Sequence, residues 1–378
     1  MLRCSLLILS LCSCLFAKSQ DWHVVRENAQ KSFPKTVPAG NYSGITHLHD
    51  DIYAVVSDKS DSALFFNFRI QVNPKTGDLE RVENLGFSEY VDGSRHENVL
   101  GASKAWQSKE KGFDHEAIAK VSDSTLVIAS EGYYRLKEYP INPLCNLNFW
   151  EMKWKADAFY PNYVFESLAF DSLHHVLWTI PESTLRKDGQ PATPENGWAN
   201  KLRLMGIDWK ECHSVGQNID FFVDEKSENT SYPMKVFAYE MDEPSTHRTA
   251  ETYVMGVSEL CVLPDGQLLV LEREAFIPKI KLGAFCKCKL YIVNPWQEKS
   301  FPLSESFDEK SPFVNKRLLA EWKTGLSLFD RSFANYEGMC LGPQLEDGSQ
   351  VLILLSDSQD QYAGVLKDWF KTIVIANK

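Results

Sequence analysis

Acidic side chains recur at both ends of paired apolar stretches along this sequence of 378 residues. In the segment "HEAIAKVSDSTLVIASE", Glu116 opens the first apolar stretch and Glu131 closes the second. Three later segments share this arrangement, and their opening and closing acids are Glu166 and Glu182, Glu259 and Glu272, and Glu337 and Asp357. The earliest segment closes with Asp58 and has Gly44 at its opening position. If the fold gathers these carboxylates, they can transfer protons or bind a hard cation.

The elements that carry these acids are predicted to be β-hairpins. Each segment consists of a short apolar stretch, a turn rich in Asp, Gly, Pro or Ser, and a second stretch rich in β-forming residues. Two further predicted strands follow each of the first four hairpins, and one strand, "KTIVIAN", follows the fifth. Repeated units of four strands predict an all-β chain with the architecture of a β-propeller.

The fifth unit lacks one strand, which the N-terminal segment "WHVVREN" can supply. We therefore predict a single β-propeller domain over residues 20–378, with five blades and closed by this N-terminal strand. Closure removes the free edges that an open array of sheets would expose. The alternative is a propeller of six blades, with the additional blade in residues 184–200 or 90–112.

In a propeller, the first strand of each blade lines the central channel and the second strand returns antiparallel beside it. The residue that opens the first strand and the residue that closes the second therefore lie at the same face. Nine acids are expected at this mouth, namely Asp58, Glu116, Glu131, Glu166, Glu182, Glu259, Glu272, Glu337 and Asp357. Two like charges about 4 Å apart repel by about 4 kcal/mol at an effective dielectric constant of about 20. Some of the acids must therefore hold protons, or cations must lie among them.

Ca²⁺ suits such a set of carboxylates best, because it prefers several hard oxygen ligands on flexible positions. Its expected ligands are Asp58, Glu116, Glu166, Glu182, Glu259, Glu337 and Asp357. Arg273 is a further candidate for neutralising the acids. A structural interpretation stays open, in which each carboxylate accepts hydrogen bonds from backbone N–H groups of a neighbouring loop and joins one blade to the next.

Two other groups of polar residues have competing interpretations. His115, beside Glu116, is either a general base or a hydrogen-bonded residue at a strand end. The lysines of "KIK" at 279–281 are expected to form a solvated loop face.

The overall charge argues against one broad class of partner. The formal net charge is −11, whereas broad nucleic-acid binding depends on a surplus of Lys and Arg. The sequence also contains no G-x-S-x-G, H-E-x-x-H, P-loop or G-x-G-x-x-G motif. Nucleic-acid binding, serine-type hydrolysis, zincin chemistry and nucleotide-loop chemistry therefore lack their usual signals.

The N-terminus has the pattern of an export signal. Arg3 precedes an apolar run at residues 6–16, which is too short for a membrane span. Cleavage after Ser19 would leave Gln20 first, and the alternative is a lipoprotein signal with Cys14 as the lipidated residue. The protein is therefore expected to be periplasmic or secreted, without a transmembrane segment, and anchored by lipid in the alternative case.

Several segments resemble, in order and in spacing, the phytase-like (esterase-like activity of phytase) domain family. They are "SGITHL", "AVVSDKSD", "GFDHEAIA", "ASEG", "FESLAF", "VSELCVLPDGQLLVLERE", "NYEGMCLGP" and "DGSQVLILLSD". The resemblance covers residues 40–378 and implies an exported β-propeller whose recurrent acids take part in phosphomonoester or phosphodiester hydrolysis, with Ca²⁺. This sequence departs from the family pattern at His115, Ala117, Ser167 and Glu259, while the acids themselves are kept.

The resemblance favours a metal-dependent phosphoric ester hydrolase, monomeric and acting on a small-molecule phosphate ester. A metal held by the acids would polarise the phosphoryl group and lower the pKa of an attacking water. The residues expected to carry catalysis are Glu116, Glu131, Glu166, Glu272, Arg273 and Glu337. Arg273 and Lys59 are expected to bind phosphate oxygens. Two alternatives stay open, a non-catalytic exported propeller that binds a ligand or partner, and a carboxyl-ester or lactonase-like hydrolase on the same metal.

Overall fold

The computed structural model of the chain describes residues 21–59, 64–91, 94–98, 114–141, 150–215, 218–221, 233–359, 361 and 366–377. The predicted export signal, with Cys14 and Gln20, lies outside the described residues, as does most of the stretch 90–112. No helix in the described part of the chain has both the length and the apolar character that a membrane span needs.

Within these ranges the chain forms one α-helix, α1 (Trp209–Val215), and twenty-three β-strands. The strands before residue 155 are β1 (Trp22–Glu27), β2 (Lys31–Ser32), β3 (Tyr42–His49), β4 (Ile52–Ser57), β5 (Leu64–Val72), β6 (Leu79–Val91), β7 (Ser94–Asn98), β8 (His115–Lys120), β9 (Thr125–Ser130), β10 (Arg135–Pro140) and β11 (Glu151–Trp154). The later strands are β12 (Ala169–Asp171), β13 (Val176–Thr179), β14 (Lys201–Asp208), β15 (Asn218–Phe221), β16 (Met234–Glu240), β17 (Thr252–Val262), β18 (Leu268–Ile277), β19 (Ala284–Val293), β20 (Lys316–Leu326), β21 (Asn335–Gln344), β22 (Gln350–Asp357) and β23 (Trp369–Asn377).

These strands form five sheets, each containing one of the predicted hairpins. Sheet 1 has the order β3-β4-β5-β6-β7, sheet 2 the order β8-β9-β10-β11-β15, and sheet 3 the order β12-β13-β14-β16. Sheet 4 has the order β17-β18-β19-β20, and sheet 5 the order β21-β22-β23-β1, with β2 also on β23. Pairing is antiparallel except between β11 and β15. The prediction of an all-β chain built from four-stranded antiparallel units is confirmed.

The second strands are almost wholly apolar because both of their faces are buried. In β22, the five residues from Val351 to Leu355 are each 1% exposed or less. Such a strand lies between two layers of protein, which explains the continuous run "VLILL" in place of the alternation typical of a half-exposed strand.

The sheets are arranged around their first strands. Strands β3, β8, β12, β17 and β21 contact one another in chain order, and β21 also contacts β3. Five clusters of buried apolar side chains fill the spaces between successive sheets, including the space between sheets 5 and 1. Sheets that radiate from a shared set of inner strands have the arrangement of a β-propeller.

The N-terminal strand pairs with the last strand of the chain. The ladder between β1 and β23 joins Trp22 to Asn377 and Glu27 to Ile373. Trp22 is buried, and its indole Nε1 donates to Asp265 Oδ2 of sheet 4 at 3.1 Å. Of the two stretches considered for an additional blade, residues 184–200 form no strand, and the described residues of 90–112 belong to the end of β6 and to β7, both in sheet 1.

Candidate functional site

In each hairpin, a residue of the second strand lies opposite a residue two or three positions before the predicted opening residue. The N–H of Glu131 donates to the C=O of Asp114 at 2.8 Å, and the N–H of Glu182 donates to the C=O of Val164 at 2.7 Å. In the other three hairpins this position is held by Asp58, Arg273 and Asp357, opposite Asn41, Gly256 and Asn335. We call the end of the inner strands that carries these residues the mouth.

A β-bulge follows each of these opposed residues. In sheet 2 the extra residue is Glu116, which lies between the pairs His115–Ser130 and Ala117–Ala129. In sheets 4 and 5 the extra residue is Ser258 and Glu337. In sheet 1 it is Ser43 or Gly44, and in sheet 3 it lies between Phe165 and Ala169, in the span that contains Glu166. A bulge bends its strand and redirects the side chain of the unpaired residue. Three of the five bulges therefore direct a glutamate towards the mouth.

The guanidinium of Arg273 lies among the acids in one half of the mouth, and its side chain is 3% exposed. Its Nη2 donates to Glu182 Oε1 and, at 3.2 Å, to Glu166 Oε2. Its Nη1 donates to Glu337 Oε1 and, at 3.1 Å, to Asn335 Oδ1. One cation thus contacts three carboxylates. Both terminal nitrogens of Arg273 thus contact carboxylates, and its binding of phosphate oxygens stays a prediction.

A glycine allows Glu182 to reach this position. Gly256 lies opposite Arg273 in sheet 4, and a Cβ added to it would lie 2.4 Å from the backbone oxygen of Glu182. The same oxygen accepts a hydrogen bond from the N–H of Val257 at 3.1 Å. Sheets 3 and 4 can approach this closely only where no side chain separates their backbones.

The other half of the mouth contains three acids that we call the acid triad, Asp58, Asp114 and Glu116. One carboxylate oxygen from each lies within 4.8 Å of the others. Lys59 Nζ donates to Asp58 Oδ2 at 2.6 Å, and the side chain of Lys59 is 58% exposed. Asp114 was missed in the sequence, although it precedes Glu116 by the spacing that separates Asn335 from Glu337. It has φ = 49°, a left-handed conformation that Asp tolerates better than most residues.

Burial and mutual repulsion raise the pKa of these acids. Burial, followed by the neighbouring acids, raises the pKa of Asp58 to about 7 and that of Glu131 to about 8. The same two causes hold the pKa of Glu116 and Glu337 well above the ordinary value of a glutamate. Among the neighbours, Asp357 is the largest influence on both Asp58 and Glu337, which places it at the same mouth.

Glu166 and Glu182 are tied by a hydrogen bond that requires a proton. Burial raises the pKa of both, and their mutual hydrogen bond raises the pKa of Glu166 further while lowering that of Glu182. Because its pKa is raised further by this hydrogen bond, Glu166 is the partner that donates the proton to Glu182. The Arg273 guanidinium opposes the rise in both groups.

The donor set of the mouth fits a hard cation. Asp58 Oδ1 and Glu131 Oε1 are buried and have no hydrogen-bond partner within the described residues. Buried carboxylate oxygens without a donor are destabilising unless a proton or a cation satisfies them. Oxygens within 4.8 Å of one another can share one Ca²⁺, whose bonds to oxygen are about 2.3–2.6 Å long. The acid triad therefore offers three oxygens of the type, and at the mutual spacing, that one Ca²⁺ can contact.

Glu272 does not lie at the mouth, in contrast to the sequence expectation. The side chain of its neighbour Arg273 lies at the mouth, and successive side chains of a strand point to opposite faces. Glu272 Oε1 accepts from Tyr239 Oη at 2.7 Å and from Lys316 Nζ at 2.6 Å, in an ion-pair cluster between sheets 3 and 4. These partners hold the Glu272 carboxylate away from the acids of the mouth, and its expected catalytic role stays a prediction.

Glu259 also departs from its expected place as a metal ligand. It follows the bulge residue Ser258 by one position and is fully buried. Its Oε1 accepts from the N–H of Leu168 at 3.1 Å and from the N–H of Leu260 at 2.9 Å. The structural interpretation fits Glu259, because its carboxylate joins the inner strand of sheet 4 to the chain that enters sheet 3.

His115 has the second of its two predicted interpretations, a hydrogen-bonded residue at a strand end. It is buried, and its Nδ1 lies 2.9 Å from Ser130 Oγ.

We expect the stability of the cation-free protein to fall as the pH rises from about 5 to about 8. Because the folded-state pKa values of Asp58 and Glu131 exceed their ordinary values of 3.8 and 4.5, the native state binds more protons than the unfolded state in this range. Stability then decreases with pH until these groups are ionised in both states. Calorimetry in chelator at several pH values measures the effect.

The control for this prediction is Glu131→Gln, which removes one titrating group and should flatten the slope. A wild-type melting temperature that rises with pH over this range would contradict the prediction, because it would show that the acids of the mouth are ionised in the folded protein without a cation. A slope unchanged in Glu131→Gln would assign the pH dependence to other groups.

Comparison with known proteins gives a family match and remote structural likenesses. The family model described as "Phytase-like: Esterase-like activity of phytase" matches residues 37–359. No curated protein matches the sequence at a significant level.

Three solved structures illustrate the likeness in fold. "Streptogramin B lyase structure" is 10% identical with a TM-score of 0.32, covering 93% of this chain and 98% of that chain. "Structure of Dos1 propeller" is 8% identical with a TM-score of 0.28, covering 87% and 69%. "Drosophila Semaphorin 1b, extracellular domains 1-2" is 8% identical with a TM-score of 0.32, covering 92% and 80%. At such TM-scores these likenesses carry no argument about activity.

Proposed function

Because the chain belongs to the phytase-like (esterase-like activity of phytase) family, we propose that it is an exported hydrolase of phosphate monoesters or diesters. The observation that supports this most is the acid triad beside the cluster around Arg273, both at one mouth. Carboxylates with raised pKa values, gathered at one end of a rigid scaffold, are typical of sites that transfer protons or bind metals.

The charge of the mouth makes a cation part of the proposal. Eight acids face this region, namely Asp58, Asp114, Glu116, Glu131, Glu166, Glu182, Glu337 and Asp357. Arg273 and Lys59 are the positive groups that the structure describes among them. An anionic phosphate ester would be repelled unless cations reverse the local potential. Asp58, Asp114 and Glu116 would hold Ca²⁺, which when bound supplies a positive charge to polarise the phosphoryl group.

The residues of the chain have distinct roles in this proposal. Glu131, whose pKa is raised in the cation-free protein by burial and by the neighbouring acids, is the residue we assign to give a proton to a leaving oxygen. Lys59 is half exposed and can turn from Asp58 to contact a phosphate oxygen. Arg273 orients Glu166, Glu182 and Glu337.

The finer features of the architecture belong to the same proposal. The five sheets are five blades of one domain over residues 20–378, which the ladder between β1 and β23 closes into a ring. The exported chain starts at Gln20, or at a lipidated Cys14, and acts as a monomer. An experimental structure with six complete blades, or intact mass showing that exported protein keeps Met1, would contradict these points.

Ca²⁺ binding is the direct test of the cation. We expect millimolar Ca²⁺ to raise the melting temperature and chelator to lower it, because a cation that binds only the native state stabilises it by about 2.7 kcal/mol at a hundredfold excess over its Kd. Differential scanning calorimetry with and without Ca²⁺ measures the shift. A wild-type melting temperature indifferent to Ca²⁺ would remove calcium from the proposal.

Activity is tested separately on bis(p-nitrophenyl) phosphate and p-nitrophenyl phosphate, each with Ca²⁺ and with chelator. Hydrolysis that requires Ca²⁺ supports the proposal.

A second candidate function, a non-catalytic exported propeller that binds a ligand, is favoured by one observation, the structural contacts of Glu259. Calcium-dependent stability without hydrolysis of either ester, or of a lactone, would favour that candidate.

A further inference from the structure

The most exposed large apolar side chains of the described residues are concentrated in two turns of sheet 4. Phe329 is 98% exposed, Ile280 79% and Leu328 75%, and Leu282 adds a fourth at 49%. Isolated exposed apolar residues are ordinary on protein surfaces, whereas a contiguous group marks an interaction surface.

The two turns lie side by side. The first, at 278–283, joins β18 to β19, and the second, at 327–334, joins β20 to β21. The N–H of Gly283 donates to the C=O of Leu326 at 2.8 Å, and Ala284 pairs with Leu326 in the ladder between β19 and β20. We call the pair of turns the apolar tip.

The apolar tip projects on the side of the mouth. Strand β18 continues beyond Arg273 to Ile277 before the first turn begins. At about 3.3 Å per residue, the start of this turn lies about 16 Å beyond Arg273 along the strand. A surface that the apolar tip contacts would therefore lie in front of the mouth.

Basic residues surround the apolar tip, although the chain as a whole has a net charge of −11. Lys279 and Lys281 flank Ile280, Arg331 lies in the second turn, and the exposed Lys323 lies three residues before the end of β20. Against these four bases, the acids beside the two turns are Glu251, which pairs with Lys281 at 2.8 Å, and Asp330. The tip is thus locally positive.

We propose that the apolar tip docks the protein on an anionic lipid surface, with Phe329, Leu328 and Ile280 inserted between headgroups. Apolar side chains at the end of a narrow projection, flanked by lysine and arginine, suit the boundary between acyl chains and anionic headgroups. The proposal goes beyond hydrolysis and does not depend on it.

The shape of the tip favours a lipid surface over a protein partner. Stable protein interfaces bury about 1,200–2,000 Å² and are complementary in shape over that area. Two short turns that project from a sheet end present a small convex surface, whereas a bilayer accepts a projection of any outline. The positive charge specifies the headgroup, since anionic lipids attract bases close to the surface.

Vesicle co-sedimentation tests the proposal with the exported chain. We expect binding to phosphatidylcholine vesicles that contain phosphatidylglycerol, and much weaker binding to phosphatidylcholine alone. Phe329→Ser should weaken binding about tenfold to a hundredfold, by loss of buried aromatic area. The double variant Lys279→Gln with Lys281→Gln should weaken it about fivefold for each lysine and reduce its salt dependence.

The matched control is Leu173→Ser, because Leu173 is 61% exposed in the turn between β12 and β13, at the opposite end of its sheet. It should leave vesicle binding unchanged. Failure of wild type to bind anionic vesicles would overturn the proposal, and so would an equal loss in Leu173→Ser. Sedimentation that shows a dimer in wild type and a monomer in Phe329→Ser would also overturn it, by assigning the apolar tip to a second copy of the chain.

Discussion

Arg273→Met is expected to lower the free energy of unfolding of the cation-free protein by about 3–5 kcal/mol at pH near 8. The guanidinium is buried and contacts Glu166, Glu182 and Glu337, so its removal leaves buried carboxylates without compensation. The effect is larger than that of removing a surface charge, because water cannot replace the lost partner. Urea unfolding in chelator measures the difference.

The pH dependence of this loss distinguishes an electrostatic cause from a packing cause. Near pH 5 the three carboxylates hold protons in the variant, and the loss should shrink to the packing contribution of the side chain. Arg81→Met is the surface control, since Arg81 is 53% exposed and pairs with Glu83, and it should change stability by less than about 0.5 kcal/mol. If Arg273→Met fails to fold at the higher pH, recovery of the folded state near pH 5 carries the same conclusion. A loss of equal size at both pH values would refute the electrostatic account.

Glu116→Gln is expected to abolish the stabilisation by Ca²⁺ and to reduce ester hydrolysis by about a hundredfold to ten-thousandfold. The substitution keeps the shape of the side chain but removes one charge from the acid triad, in which each member supplies an oxygen within 4.8 Å of the others. Isothermal titration with Ca²⁺ gives a readout that does not depend on activity. The cation-free variant should melt at a higher temperature than cation-free wild type, because a neutral amide needs neither a proton nor a cation to be buried beside the other acids.

The control for this prediction is Glu272→Gln. Glu272 is also a buried glutamate with a pKa raised by burial, but its carboxylate contacts Tyr239 and Lys316 away from the mouth. Its Ca²⁺ titration should match that of wild type. If Glu272→Gln weakens Ca²⁺ binding as much as Glu116→Gln does, the acid triad is not the site.

The repeated four-stranded unit of the fold could be predicted from the sequence, because each hairpin repeats a local pattern. The apolar stretches, their turns and the strands that follow depend on periodicity and propensity, which act within a few residues. The pairing of β15 with β11 could not be foreseen in this way, because it joins Asn218–Phe221 to a strand of the preceding unit and brings together residues distant in sequence.

The composition of the mouth was predicted in part. Glu116, Glu166 and Glu337 lie where the repeated pattern placed them, but the fourth hairpin is shifted by one residue. Its bulge holds Ser258, so the next residue, Glu259, enters the regular ladder and Arg273 replaces Glu272 at the mouth. A shift of one position reverses the face of every side chain in a strand, and a sequence pattern of acids carries no information on where the bulge lies.

The bulges have a consequence for how this scaffold can change. The side chain of a bulge residue is at the mouth, yet its backbone takes no part in the ladder, so its identity is largely uncoupled from strand pairing. One of the five positions, Ser258, already carries a short hydroxyl side chain in place of a carboxylate. Substitution at this serine therefore offers a route to an altered ligand set at the mouth with little change to the sheets.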